Sequence, residues 1–449
     1  MKMYRTLSWM TLCALVGACE GGTNEDVASG AFDMGVGQGT EDMGGTGSDP
    51  SEFQALLEPW RLNDTARTDN FSSASGSEGA LYDVQVAEIQ TVDSVPYIYV
   101  ETNGLPQYDI EVTTEIVEAL NSRPRAATDF MDGQTTIEVG DVVRFGDDIG
   151  YESNLQDCEN EGGYWPPGPG CPVALARAEY LAAEPTLNSE ACDTGLGTIG
   201  LMVNGAAIFN WGDGMAFGDG VWFNLAPIAE QYDVDICGGH AANGEYHHHF
   251  YTTCLADLLQ DDGMAHSPIY GFAADGFPLY GPFEASGELA VSAWTVRDYG
   301  ASEAEGGCNS PGQRTCVLVD PYDASQGVDG SVAAGPALGE TVRTLSGNEL
   351  AATNGYYFED YTLSGAAVVG AQLDENNGHD TGDGRGYHYH ITLTEEADAL
   401  VPAFPFTIGP RFAGTLPDSA VTNCSTGAGG APGGGPPGGG PPGGGPPGG

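Results

Sequence analysis

Residues 200–209 read GLMVNGAAIF, and residues 271–280 read GFAADGFPLY. Each runs glycine, three apolar residues, Asn or Asp, glycine, two residues, then an aliphatic–aromatic pair. Such a run reads as strand, tight turn and returning strand. Asn204-Gly205 and Asp275-Gly276 are the dipeptides that type I′ hairpin turns select. Working outward, the alternating runs Val95–Thr102 (VPYIYVET) and Thr135–Phe145 (TTIEVGDVVRF) add further strands, and Val173–Ala183 is the helix candidate. The expected fold is therefore mainly β: an internally duplicated β-rich domain with Gly-rich loops and few short helices.

A second pair of matching stretches carries the chemistry. Asp235-Ile-Cys237-Gly-Gly239-His240 aligns with Asp374-Glu-Asn376-Asn-Gly378-His379, and each is followed by a His-x-His segment, Tyr246–His249 and Tyr387–His390. Seven of the chain's 8 histidines fall in these two windows. In a strand, side chains two apart share a face, so His247 converges with His249 and His388 with His390. Tyr246, His248, Tyr387 and Tyr389 then point to the packing face. His240 and His379 follow glycines in turns that can fold back as third ligands. Three neutral imidazoles with an open position suit zinc or copper, and an added carboxylate also admits iron or manganese. The candidate ligands are His240, His247, His249, His379, His388 and His390. Asp235 and Asp374 are expected to orient ligands through the second ring nitrogen. His248 and the isolated His266 are assigned structural roles. Because duplicated units pack against each other, the six histidines are expected in one region. A separate calcium reading rests on Asp374, Asn376, Asp380 and Asp383, with Asp213 and Asp219 similar, although the spacing is not that of an EF-hand.

Composition narrows the partners. The 449 residues carry 64 acidic against 13 basic side chains, a formal charge of −51, and Lys2 is the only lysine. Nucleic acid is excluded as a partner, since phosphate contacts need a basic surface. An acidic solvated coat is the plain reading of the charge.

The ends read as address and tether. Lys2 and Arg5 precede an apolar run, Leu7–Val16, and then Gly17-Ala18-Cys19. That run is too short to span a bilayer, and small residues before a cysteine resemble a lipoprotein cleavage site. Residues 1–18 are expected to be removed and Cys19 acylated, making the membrane a partner through its lipid. Residues 19–52 then form a disordered acidic, glycine-rich spacer, 53–425 the β-rich body with an insertion at about 285–350, and 426–449 a disordered Gly/Pro tail. Eight cysteines remain beyond Cys13 and Cys19, an even number that reads as disulfides outside the cytoplasm. Short spacing favours Cys158–Cys171 and Cys308–Cys316. Cys237 and Cys254 align with Asn376 and Glu395, so both are absent together from the second stretch, as expected of a bonded pair.

The ordered set CGGHAANGEYHHHFYTTCL, HSPIYGFAADGFPLYGPF, LDENNGH and GYHYHIT, with NGLPQYDI at 103–110 and FPFTIGPRFAG at 404–414, resembles the YHYH domain family over roughly residues 80 to 415. The resemblance implies a bacterial extracytoplasmic module, often on lipoproteins and beside Gly/Pro-rich tails, and implies no particular reaction. The chain departs from the family pattern at His248 (usually Tyr), Tyr108 (usually His) and Asn376 (usually Cys). The Tyr108 departure puts in doubt any site that needs a histidine from that segment. Three functions follow from the residues: a lipid-anchored envelope protein that captures or delivers copper or zinc, a hydrolytic or oxidative metalloenzyme, and a surface module whose histidines only hold the fold. No Gly-x-Ser-x-Gly, His-Glu-x-x-His or phosphate-loop motif is present. For the anchor, Cys19→Ala is expected to abolish partitioning into the detergent phase; unchanged partitioning would contradict acylation.

Overall fold

The computed structural model describes residues 50–63, 84–123, 130–151, 172–363 and 372–424, apart from 107, 146, 148 and 398. The expected signal peptide, Cys19, nearly all of the spacer, the tail and the Cys158–Cys171 pair lie outside the described residues. The architecture is mainly β, and among the described residues no helix is long and apolar enough to cross a membrane.

The two quoted stretches form adjoining hairpins at the centre of an eight-stranded sheet. We number the strands that build the site: β1 Val84–Val92, β2 Val95–Thr102, β3 Arg177–Ala182, β4 Thr198–Met202, β5 Ala207–Phe209, β6 Gly239–Ala242, β7 Glu245–His248, β8 Ile269–Ala273, β9 Pro278–Tyr280, β10 Gly378–His379 and β11 His388–His390. The sheet order is β6-β7-β5-β4-β8-β9-β11-β10, and β1-β2-β3 form a separate three-stranded sheet. β4 is buried along its whole length, as expected of a central strand covered on both faces. Its pairing with β8 is antiparallel and reciprocal: Gly200 lies opposite Ala273 and Gly271 opposite Met202. Outward from this seam each half repeats the same pairing. β7 runs parallel to β5 with His248 opposite Ile208, and β11 runs parallel to β9 with Tyr389 opposite Leu279.

The hairpin tips correct the expected turn type. Only the glycines take positive φ, Gly205 at 87° and Gly276 at 92°, while Asn204 and Asp275 are not among the positive-φ residues. Gly205 N–H donates to Met202 C=O and Met202 N–H to Ala206 C=O, with the same pair of bonds between Gly276, Ala273 and Phe277. This is a three-residue loop closed by a left-handed glycine, rather than the two-residue type I′ turn. The loop frees the Asn204 and Asp275 side chains to accept from Ala206 and Phe277 N–H, respectively. Both tips dock on the smaller sheet. A Cβ on Gly205 would lie 2.3 Å from Thr102 Oγ1, and one on Gly276 would lie 2.4 Å from the Ala182 carbonyl.

The helix expected at Val173–Ala183 is a strand: β3 pairs antiparallel with β2 from Tyr97↔Ala182 to Thr102↔Arg177. Alanine-rich local propensity is a weak preference, and the unpaired edge of β2 overrides it. β1 and β2 form as a long hairpin. Of Thr135–Phe145 only Val142–Arg144 is a strand, paired with Asp109–Glu111. Among the described residues the helices are short: Thr114–Asn121, capped by Thr113 Oγ1 accepting from Ile116 N–H, and Thr253–Leu259 are the two longest α-helices there. Trp60 of the 3₁₀ segment Pro50–Asn63 stacks on Phe272 of β8.

Between Trp294–Val296 and its partner Tyr361–Leu363 the chain makes an excursion of small hairpins. Its centre is the fully buried Arg314–Asp360 pair, with Tyr299 O–H donating to the same carboxylate. Cys308–Cys316 closes part of it. Cys237–Cys254 is bonded with Cα atoms 5.4 Å apart, and Cys192–Cys424 joins residues 232 apart in sequence.

Gly276→Ala is expected to cost about 1–2 kcal/mol from the left-handed backbone and a further 1–3 kcal/mol or so from the clash, read by denaturant unfolding. Gly384, at φ 95° with nothing within 4 Å of an added Cβ, supplies the control, since Gly384→Ala meets the backbone term alone. Equal losses in the two variants would contradict tip docking.

Candidate metal centre

Pairing places the histidines before any ion is considered. His240 of β6 lies directly opposite His247 of β7, and His379 of β10 opposite His388 of β11. The i+2 rule adds His249 and His390 to the same faces. Two groups result. In the first, the rings of His240, His247 and His249 lie with centroids 4.6–5.7 Å apart. In the second, those of His379, His388 and His390 lie 4.8–5.3 Å apart.

These groups do not form one region. β7 and β11 are separated by four strands, so five steps of about 4.8 Å place them roughly 24 Å apart. The expectation of a single cluster fails because the two halves meet through β4 and β8, which puts the histidine strands at the outer positions.

Each ring is oriented by a main-chain carbonyl at Nδ1. In the first group the acceptors are Asp233 for His240 (2.9 Å), Glu245 for His247 (2.9 Å) and Asn210 for His249 (2.6 Å). In the second they are Gln372 for His379 (3.3 Å), Gly386 for His388 (2.7 Å) and Gly281 for His390 (2.7 Å). A carbonyl oxygen can only accept, so Nδ1 carries the hydrogen and a neutral ring presents a bare lone pair at Nε2; His379 is the exception, its Nε2 meeting the Glu284 carboxylate. Burial favours the neutral form. It lowers His240 to about 4 and His249 and His390 to about 3, and it pushes His247 well below the ordinary range.

Those lone pairs converge. Nε2 of His247 and of His249 lie 3.1 Å apart, while Nε2 of His240, His388 and His390 are buried without a hydrogen-bond partner. Each group also gains a carboxylate. Glu230, at the end of the short helix Ala226–Ala229, places Oε2 3.4 Å from His240 Nε2 and 3.3 Å from His249 Nε2. Glu284, in the strand Phe283–Ala285, places Oε1 2.9 Å from His379 Nε2 and 3.3 Å from His390 Nε2. Four atoms each 2.0–2.1 Å from a tetrahedral ion stand about 3.3–3.4 Å from one another. The two Glu230 separations match that edge, and the His247–His249 separation falls a little short of it. The residues present therefore fit a transition metal, and each group can hold one ion.

The two carboxylates differ. Burial, then Asp213 and Asp233, raises Glu230 well above the usual carboxylate range. For Glu284 burial acts upward, but the hydrogen bond with His379 and the charges of His390 and His379 outweigh it and the group is lowered. His379 is raised by Glu284 despite burial.

Asp235 and Asp374 do not touch the rings. Asp235 accepts from Cys237 and Gly239 N–H and from the Tyr108 and Tyr246 hydroxyls. Asp374 accepts from Asn376 and Gly378 N–H and from Tyr387. They fix the turns that carry His240 and His379, while the carbonyls fix the rings. Tyr108 serves this buried carboxylate, and both groups assemble without a histidine from its segment. The calcium reading also lacks geometry: Asp374 is taken by its turn, Asp380 accepts from Gly382 N–H, and Asp383 accepts from Arg385 N–H and its guanidinium. His248 faces the opposite side, near Tyr246.

Sequence reasoning missed Glu230, Glu284 and His266. His266 gives Nδ1–H to the Ser267 carbonyl at 2.8 Å and forms a ligand-competent set with His388 and His390. Extending the hairpin alignment puts Glu284 opposite Asp213, so one carboxylate was within reach. In the first half, however, Asp213 is bound to Asn224 and Met215 N–H, and the approach to the rings is made by Glu230, for which the alignment gives no signal.

A mainly β protein with two imidazole–carboxylate groups on one sheet is thus the class in hand. A family model described as YHYH protein matches residues 179–401, and over that span, which contains both groups and both central hairpins, the chain belongs to the YHYH family. No curated protein and no solved structure matches the chain.

Proposed function

We propose that this protein binds a transition metal, zinc or copper, at two centres, and acts outside the cytoplasm in metal capture or delivery while anchored to the membrane through Cys19. The observation that carries the reading is the gathering of ligand atoms into sets of three, His240, His247 and His249 in the first group and, in the second, Glu284, His379 and His390 overlapping His266, His388 and His390, with Nδ1 of every ring committed to a carbonyl. A hydrogen-bonding role alone accounts for Nδ1 and leaves these buried acceptors unsatisfied, at about 1–3 kcal/mol each. An ion would supply the missing positive charge and draw Glu230 into its ionised form. The carbonyls hold the tautomer and ring planes that such an ion needs. Three disulfides among the described residues support an oxidising compartment. The matching sequence and pairing of the two halves support reading them as internal repeats, each carrying one centre.

Protein purified without a histidine tag, equilibrated with Zn²⁺ and freed of excess by gel filtration, is expected to carry about two ions per chain. Paired His249→Ala and His390→Ala substitutions should weaken both centres by at least roughly 10–100-fold. Metal-free protein that gains none on titration, or variants that bind as the unaltered chain does, would overturn the proposal.

A further inference from the structure

We infer that the two centres divide the work: the first retains its ion, and the second is the exchange site, where His266 and His390 allow an ion to pass between two overlapping donor sets. This rests on the metal reading above and goes beyond it.

The first centre is closed. The His240 side chain is 1% exposed, and Phe209 stacks flat on His247 with ring centroids 3.7 Å apart. β6 and β7 are joined by a tight turn at Asn243-Gly244. Asp233, whose carbonyl orients His240, is held in turn by Ser346 and by Asn348 Nδ2 from the excursion. Three imidazoles form one ligand-competent set with Glu230 beside His240 and His249, and among the described residues no second set overlaps it.

The second centre departs from this at each point. The His379 side chain is 10% exposed, and it opens onto 381–386, all exposed. Tyr280, in the place of Phe209, meets His388 at 63° rather than flat. Five donors are present where four suffice. Glu284, His379 and His390 form one ligand-competent set at the rim, and His266, His388 and His390 form another, with His390 common to both. Nε2 of His266 is buried and unpartnered. The first half has Gly195 at the matching position, five residues before Gly200 as His266 is before Gly271, so it has nothing to offer there. A surplus donor beside a bound ion lets an incoming ligand engage before the outgoing one leaves. Exchange then proceeds without a bare ion, which is the slow step at a closed four-donor site.

Protein loaded with two Zn²⁺ per chain and mixed with excess chromophoric chelator is expected to release one ion quickly and one slowly. His266→Asn keeps an amide donor for the Ser267 carbonyl but removes Nε2. It should weaken the fast-exchanging site roughly 10-fold or more and leave the slow phase unchanged, with an unaltered melting temperature of the metal-free protein showing that the fold is intact. Glu230→Gln should accelerate the slow phase alone. Release of both ions in one phase, or both phases unmoved by His266→Asn, would overturn this inference while leaving metal binding in place. Absence of bound metal would overturn both.

Discussion

Every histidine of the two windows that faces a centre gives its Nδ1 hydrogen to a main-chain carbonyl, and the rest of the account depends on that constraint. It fixes the tautomer, locks the ring plane and, except at His379, leaves Nε2 as an acceptor with no hydrogen donor among the described residues. Burial then removes water as an alternative partner. The fold therefore maintains a cost, buried unpartnered ring nitrogens at His240 in the first group and at His388 and His390 in the second, that any bound cation would relieve. By linkage such a cation stabilises the folded state in proportion to its occupancy.

The carbonyls stand where they do because of the sheet. β4 and β8 pair reciprocally at its centre, and their hairpin partners β5 and β9 set the parallel register of β7 and β11. Asn210 and Gly281, which orient His249 and His390, follow directly on β5 and β9. The ring orientation is thus a consequence of parallel strand pairing. Asp235 and Asp374 act one step earlier, holding the turns that start β6 and β10. Cys237–Cys254 adds a covalent tie to the first of these turns, whereas the second relies on hydrogen bonds alone.

Much of this was legible in local sequence. The hairpins, the two windows, the alternation that separates His247 and His249 from Tyr246, and the Cys237–Cys254 and Cys308–Cys316 pairs all rest on short-range spacing or on comparing one stretch with the other. What was not legible depends on distant pairing. The windows lie apart because strand order is set by the seam between hairpins, which no window encodes. Cys192 finds Cys424 only through the fold. Val173–Ala183 looks helical until the free edge of β2 is known. Glu230 comes from a segment with no counterpart in the second half, and His266 stands alone in the sequence yet projects toward His388 and His390. The positive-φ glycines gave the turn positions correctly but the wrong loop length, since Asn-Gly and Asp-Gly serve both geometries.

The central claim is that imidazole Nε2 atoms and a carboxylate form the metal environment. X-ray absorption at the zinc edge of the loaded protein tests it most directly. The account predicts nitrogen and oxygen neighbours at about 2.0–2.1 Å with outer-shell scattering from several imidazole rings, and no sulfur at about 2.3 Å. A sulfur shell, or oxygen neighbours without imidazole scattering, would contradict it.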